Sequence, residues 1–304
     1  MPVPDARPFV PDSVVWLAST TWWRQFSDEE KITANRLMGL LVNDLFLVIE
    51  RDMIGPMLTS VGRDRRMRCH PSLRRALLGF ADEERRHVRW FAAFSAGHAA
   101  RHAAGHAARH AAGNTSVNRR SACAVLSYPR WLSVVSRCAG RTPCWRLWWW
   151  AVLITEEWTT IFAAQVAQAH GGNSGPIDAV YAQLHATHLR HERRHVAIGN
   201  ALAPLWRKAP PWVLSLSARF STAMVRQLLV PRRSITRMIA LFVQAHPRWA
   251  EKSATMVEAC LHIGSDAAYW RQVLPMKDAP VAARVRQTQA AFRALPAPIP
   301  GWST

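Results

Sequence analysis

Glycine is scarce in this sequence, and alternating apolar and polar runs bounded by turn residues are hard to find. Only 14 of the 304 residues are Gly, and strands need such period-2 runs. The abundant residues are Ala, Leu, Arg, Val and Trp, a composition typical of helices. The sequence therefore predicts an all-α protein.

Lysine is also rare, although the protein is strongly basic. The net charge of +19 comes from 39 Lys and Arg residues against 20 Asp and Glu residues, and only four of the basic residues are Lys. This skew toward Arg indicates a compositional bias. No helix-turn-helix, zinc-finger or RNP-like pattern accompanies it, so we expect no nucleic-acid partner. A basic surface still attracts an anionic substrate, an acidic carrier protein or an anionic membrane.

Cysteine pairs, signal sequences and long apolar runs are missing as well. The five Cys residues are irregularly spaced and form no C-x-x-C, which is typical of a reduced protein. The first residues, MPVPDARPFVPDS, hold no apolar stretch of a secretory signal. The most apolar run, LWWWAVLI at 147–154, is far too short to span a bilayer. We expect a cytoplasmic protein without an integral membrane span.

Helical periodicity organises most of the chain into long helices. A capping box of Ser27 and Glu30 opens the first helix, which we expect to end near Ile54 because Gly55 and Pro56 follow. The other predicted helices are 71–96, 144–170, 176–202, 211–229, 232–245, 247–262 and 279–293. This pattern predicts an extended N-terminal segment at 1–19, a helical bundle at 20–204 and a C-terminal helical extension at 205–304 that packs on the bundle.

A tandem repeat interrupts the bundle. The stretch HAARHAAGHAARHAAG at 98–113 is an eight-residue unit repeated twice. His-rich tracts can bind metal, but a perfect repeat of helix-forming residues favours a low-complexity loop or helix extension. We interpret 97–142 as this repeat followed by a linker insertion.

The stretch THLRHERRHVAIGN at 187–200 concentrates metal-binding side chains. On a helix, His188, Glu192 and His195 are spaced i, i+4 and i+7, which places them in one column. His191 faces elsewhere. Taken alone, the stretch is equally compatible with a solvated charged face.

A second copy of the pattern favours a metal site over a solvated charged face. FADEERRHVRWF at 80–91 contains another E-x-x-H, formed by Glu84 and His87, on a helix whose buried side carries Leu77 and Phe80. A carboxylate on a buried side needs a partner.

Di-iron and di-manganese carboxylate bundles combine two E-x-x-H helices with one Glu from each of two other helices. Glu50 precedes Glu84 by 34 residues, and Glu156 precedes Glu192 by 36, a spacing that fits two antiparallel helical pairs. Glu157 is an alternative to Glu156, and helical geometry barely decides between them. Carboxylates and imidazoles suit iron or manganese. Other nearby acids are interpreted as surface or outer-shell groups: Asp52, Asp82 and Glu83.

At these residues the sequence resembles the ferritin-like di-iron oxygenases, and more narrowly the p-aminobenzoate N-oxygenase family. That family has a lone Glu, an E-x-x-H, a second lone Glu and then H-x3-E-x2-H. The resemblance covers about residues 20–204 and implies a ferritin-like four-helix bundle with a dinuclear metal site. It implies these ligands: Glu50, Glu84, His87, Glu156, His188, Glu192 and His195. ITEEWTTIFA at 154–163 also resembles the E-x-x-T region of a related group of metal-dependent hydrolases, which favours Glu156.

The resemblance implies two Fe ions, with Mn as the alternative, and O2 as co-substrate. It implies oxygenation of a small substrate through a peroxo intermediate, most specifically N-oxygenation of an aryl amine or a carrier-bound amine. No flavin or nicotinamide motif is present, so we expect an external reductase or ferredoxin. The alternatives are a non-redox metal-dependent hydrolase and a non-enzymatic iron-binding helical protein. The tryptophans Trp22, Trp23 and 148–150 cannot all face one core. We expect core packing and a homodimer face, and the alternatives are a substrate channel and a membrane-surface contact.

Overall fold

The computed structural model of the protein describes residues 7–110, 145–171, 177–207, 216, 231–266 and 269. Within these residues the chain is helical and contains no strand, so the prediction of an all-α fold is confirmed there. Apart from residue 216, the predicted helices at 211–229 and 279–293 and the linker after the repeat lie outside the described residues.

Helix α1, Asp28–Val48, begins at the predicted capping box. The Ser27 side chain accepts a hydrogen bond from the Glu30 backbone N–H, and the Glu30 carboxylate accepts one from the Ser27 backbone N–H at 2.7 Å. This reciprocal pair satisfies two backbone donors that the first helical turn leaves open. It fixes the start of the helix that leads to Glu50.

A π-helical turn, Ile49–Ile54, joins α1 to α2, Gly55–Arg63. The prediction that the first helix ends near Ile54 was therefore wrong. The Gly55 N–H bonds to the Glu50 carbonyl across the wider turn, and Pro56, which has no N–H to offer, falls at the start of the next segment. A Cβ at position 55 would lie 3.1 Å from that carbonyl oxygen, so Gly55 permits this close approach.

Three long helices complete the part of the chain that surrounds the predicted site. They are α3, Pro71–His110, α4, Trp145–Gly171, and α5, Ala179–Arg207. Pro71 opens α3 as predicted. That helix continues through 98–110, so most of the repeat forms a helix extension. α4 and α5 pack along each other, and α3 packs against α1, α2 and α5.

Helices α6, Arg232–Ala245, and α7, Ser253–Ser265, follow α5 and are linked by a 3-10 turn, Pro247–Lys252. α6 packs against α1, and Phe26, just before α1, contacts the Phe242 ring with 5.0 Å between centroids. In its described part, the C-terminal extension therefore packs on the first helix.

The N-terminal segment differs from the expected extended chain. Its described part forms 3-10 turns at Asp12–Val14 and Trp16–Ser19, and Phe9 is buried. A further 3-10 turn, Thr21–Gln25, follows before α1. The Asn35 side chain holds the N-terminal segment, because its Oδ1 accepts the Phe9 backbone N–H at 2.7 Å. Burial of apolar side chains and the hydrogen bond to the Asn35 amide thus hold this segment in turns, and the segment is not extended.

The continuous helix Asp28–Arg63 is long and apolar enough to cross a membrane by length and composition, and 67% of its most apolar window is buried inside the protein. The core helix of a soluble protein passes the same test. The expected absence of a membrane span therefore stays a prediction.

Candidate metal centre

Four buried carboxylates converge in the interior, each from a different helical segment. Each of these residues is at most 2% exposed. The π-helical turn, α3, α4 and α5 supply, in that order, Glu50, Glu84, Glu156 and Glu192. A buried carboxylate is costly unless positive charge or hydrogen-bond donors compensate it, so four together require a strong compensating group.

Three fully buried imidazoles lie among these carboxylates: His87, His188 and His195. The helical spacing brings them together as predicted. On α5, Glu192 Oε1 lies 3.0 Å from His188 Nε2 and 3.1 Å from His195 Nδ1. On α3, Glu84 Oε1 lies 3.4 Å from His87 Nδ1. The two E-x-x-H motifs therefore face one another.

The ligand atoms fall into two overlapping groups. One consists of Glu84, His87, Glu192 and His195, and in it one ligand atom from each residue lies within 4.8 Å of all the others. The other, by the same measure, joins His87 to Glu50 and His188. His87 is common to both, so the groups are adjacent. This arrangement suits two neighbouring cations better than one.

Glu156 reaches the cluster from α4. Its Oε2 lies 3.4 Å from His195 Nδ1, and a side-chain interaction joins it to Glu192. Glu157 is buried as well. Among the described residues, neither belongs to the two groups of mutually close ligand atoms.

Several inward-facing polar atoms have no hydrogen-bond partner within the described part of the chain. They are Glu50 Oε2, both carboxylate oxygens of Glu84, both of Glu156, and His87 Nδ1. Glu84 Oε1 lies 3.0 Å from His195 Nδ1 but without hydrogen-bond geometry. Buried polar atoms are nearly always paired. Oxygens and nitrogens that instead face a common point are arranged to coordinate a cation, so the residues fit a metal.

The electrostatics of the cluster separate its carboxylates into two classes. Burial, followed by the charge of neighbouring glutamates, raises the pKa of Glu50 and of Glu156 well above the usual range. Burial also opposes ionisation of Glu192, but His188 and His195 outweigh it and hold the pKa of Glu192 well below the usual range. The imidazoles alone do not balance four carboxylates, whereas two divalent ions would.

An outer layer of side chains orients two of the imidazoles. His195 Nε2 lies 3.0 Å from Glu83 Oε2, and Glu83 accepts a hydrogen bond from Arg194 at 2.7 Å. His87 Nε2 lies 2.9 Å from His191 Nδ1. Such contacts fix the ring orientation and basicity of metal-binding histidines. His191 therefore faces away from the centre of the cluster, as expected, but contacts a ligand from behind.

The nearby acids that we expected to be surface or outer-shell groups differ in their surroundings. Glu83 is an outer-shell group, whereas Asp52 pairs with the exposed Arg51 at 2.8 Å and Asp82 pairs with the exposed Arg85. The Asp82 side chain is 55% exposed, as expected of a surface acid, whereas that of Asp52 is only 18% exposed.

Sequence reasoning missed the role of Thr159. Its hydroxyl lies 2.9 Å from Glu192 Oε2 and 2.9 Å from the Glu156 carbonyl oxygen, so it holds the Glu192 carboxylate across the α4–α5 interface. The available signal was its position in the TEEWTT stretch, one turn after Glu156.

Aromatic rings close the cluster from the sides. Phe80 stacks on His195 with centroids 3.8 Å apart, and Phe91 meets His188 edge to face at 5.0 Å. Phe46 lies 5.4 Å from His188. These rings keep the site dry, which strengthens every charge interaction inside it.

No known protein-family model matches the chain, and no curated protein matches it significantly. The function is therefore inferred from the site itself.

Proposed function

We propose that the protein is a non-haem di-iron oxygenase built on a ferritin-like bundle. Its metal ligands are Glu50, Glu84, His87, Glu156, His188, Glu192 and His195. The observation that carries this proposal is the pair of adjacent ligand groups that share His87. Two E-x-x-H motifs and two single glutamates are the donor set of dinuclear carboxylate bundles.

The charge and chemistry of the donors support a pair of iron or manganese ions. Four carboxylates neutralise two divalent cations in a dry core, and carboxylate with imidazole is a donor set that suits these metals. Thiolate-rich sites favour other metals, and of the two described cysteines Cys69 is exposed and neither belongs to the ligand groups.

The residues around the cluster have separable tasks. Glu83 and Arg194 hold His195, and Thr159 holds Glu192, so the ligands are oriented in advance. The aromatic rings exclude water. When bound, iron supplies activation of O2 and stores the electrons that oxygenation needs.

The substrate class follows from the family resemblance and from charge. We propose oxygenation of a small substrate, most specifically N-oxygenation of an aryl amine or a carrier-bound amine. The net charge of +19 favours a substrate with a carboxylate or an acidic carrier protein. An external electron donor completes the reaction.

The proposal is tested by mixing reduced, iron-loaded protein with O2 while oxygen uptake and the visible absorption spectrum are recorded. We expect rapid uptake and a transient visible band, both lost in Glu192→Ala and His188→Ala. Asp82→Ala, which alters an exposed acid on the helix that carries Glu84, is the matched control and should behave like the wild type. Screening for substrate turnover would start with p-aminobenzoate.

Other outcomes would point to the alternatives. Bound metal without oxygen uptake would favour a hydrolase that uses a metal-bound hydroxide. A large closed assembly that accumulates iron would favour iron storage. Either result would overturn the oxygenase proposal.

A further inference from the structure

The three histidines of the cluster differ in what meets their outward nitrogen. His195 meets the carboxylate of Glu83 at 3.0 Å. The outward Nδ1 of His188 is buried and has no partner among the described residues. His87 meets another ring, because its Nε2 lies 2.9 Å from His191 Nδ1. Of these two contacts, the one at His87 continues into further aromatic rings.

Those further rings form a short path toward the surface. The His191 ring stacks on His87 with centroids 5.1 Å apart and planes inclined by 23°. The Trp90 ring lies 5.5 Å from His87 and 5.6 Å from His191. His87 is fully buried, whereas His191 and Trp90 are half-buried. Conjugated rings in contact thus connect the cluster to solvent.

Three arginines lie near the outer rings of this path in sequence, on α3 and α5. Arg86 lies one turn before Trp90 on α3, and its side chain is 42% exposed. Arg190 and Arg194 flank His191 on α5, and the Arg194 side chain is 57% exposed. Glu83 is the acid that pairs with Arg86 and Arg194. We name this surface the Trp90 face: Arg86, Trp90, Arg190, His191 and Arg194. It carries a net positive charge.

We propose that the Trp90 face docks an acidic one-electron donor protein and that electrons pass through Trp90 and His191 to His87. This inference rests on the proposed function. Each encounter oxidises one donor by one electron, so two encounters convert two ferric ions to two ferrous ions. No bond is made or broken in the protein.

The ring path and the charge of the Trp90 face favour a redox partner over a nucleic acid. Electron tunnelling falls steeply with distance, so a path of touching rings that ends on a metal ligand matters for a redox donor. It has no role in holding a polyanion. Electron-transfer encounters also use small, weak interfaces and depend on complementary charge to guide association. The exposed arginines around two aromatic rings match those requirements.

The test mixes oxidised, iron-loaded protein with a reduced plant-type [2Fe–2S] ferredoxin, as an acidic donor, in a stopped-flow spectrometer. For the wild type we expect a second-order rate that falls as ionic strength rises, because salt screens the attraction. Arg190→Gln should lower that rate by about 3- to 10-fold at low salt. Arg85→Gln, on the opposite side of α3, is the matched control and should leave it unchanged.

A second variant separates the ring path from docking. Trp90→Leu should lower the limiting rate at saturating ferredoxin, whereas the ferredoxin concentration for half-saturation stays the same. Iron content and the reduction potential of the centre should also remain at their wild-type values. A purely structural role of Trp90 would instead change one of these two properties.

The possible failures are distinguishable. Wild-type protein that does not retain iron would overturn the proposed function and this inference together. If the Arg190→Gln and Trp90→Leu variants retain iron and are reduced at the wild-type rate, the inference alone would be overturned. An Arg190→Gln variant that binds a short RNA duplex more weakly but is reduced by ferredoxin normally would also overturn it, because the face would then be a polyanion surface.

Discussion

Two regions of the molecule bury glutamate side chains, and the consequences for the two sets are opposite. Near the C-terminal extension, Glu30 is 3% exposed and receives hydrogen bonds from the Ser27 backbone, the Trp249 indole at 2.8 Å and the Arg248 guanidinium. In the cluster, Glu50 and Glu156 retain oxygens that no described residue satisfies. In the first region the protein itself hydrogen-bonds both carboxylate oxygens. In the second region, oxygens remain that a bound cation would satisfy.

The pKa values express the same contrast. Burial alone would raise the pKa of Glu30, but Arg248, the Ser27 N–H and Trp249 outweigh it and lower that pKa to about 2. In the cluster, burial and neighbouring carboxylates raise the pKa of Glu50 and of Glu156. Burial of an acid is therefore uninformative without its partners. The unpaired set marks the candidate functional site.

The largest expected effect comes from removing the metal. Metal ions that bind only the folded state should stabilise it by about 4 kcal/mol when free metal exceeds the dissociation constant about a thousandfold. Chelation should therefore lower the melting temperature of iron-loaded protein, measured by calorimetry. Glu192→Ala should show no such response. A wild-type protein equally insensitive to chelation would mean that the cluster holds no metal.

Glu30→Gln should break the hydrogen bonds to the Glu30 carboxylate. The free energy of unfolding at pH 7 should fall by about 2–3 kcal/mol, because hydrogen bonds to a charged group are lost. The Glu30 pKa is lowered on folding, so its contribution is complete above the unfolded value of 4.5 and disappears as the pH falls toward 2. Urea unfolding at pH 7 and at pH 3 should show the gap between variant and wild type narrowing. A gap that widens toward acid pH would be inconsistent with this assignment.

Glu83→Gln tests the outer layer. Without the carboxylate behind His195, metal affinity should fall about 10- to 100-fold, as is typical when such a partner is removed. Competition with a chelator of known affinity measures the change. Asp82→Asn, at the exposed neighbouring position, is the control, and equal affinities for both variants would show that Glu83 does not orient the ligand.

Glu50→Gln should give the smallest effect, with a sign opposite to that of Glu30→Gln. In metal-free protein near pH 7 the substitution removes a carboxyl group whose ionisation is disfavoured by burial and by nearby carboxylates. The free energy of unfolding should therefore rise by on the order of 1 kcal/mol. Iron binding should weaken at the same time. Denaturant unfolding of chelated protein provides the measurement. A destabilised metal-free variant would mean that Glu50 is already satisfied by the chain.

Helical spacing was sufficient to predict the inner layer of the site. Within one helix, i, i+3 and i+4 positions share a face, so Glu84 with His87, and His188 with Glu192 and His195, could be grouped before the fold was known. The capping box and the helix start at Pro71 followed from equally local rules.

The remaining features depend on how helices meet, which local patterns do not encode. The contact of His191 with His87 joins α5 to α3 and needs the relative rotation of both helices. The hydroxyl of Thr159 reaches Glu192 across another helix interface. The π-helical turn at Glu50 was missed because Gly55 and Pro56 are read as a helix end, whereas packing carries the helix onward through a wider turn.

Anomalous X-ray scattering at the iron edge, from a crystal of iron-loaded protein, would locate the two metal ions that we assign to the cluster. We expect two peaks, one among Glu84, Glu192 and His195 and one between Glu50 and His188, with His87 beside both. A crystal with iron bound only elsewhere, for instance along the His/Ala repeat at 98–113, or with no peak among these residues, would contradict this assignment.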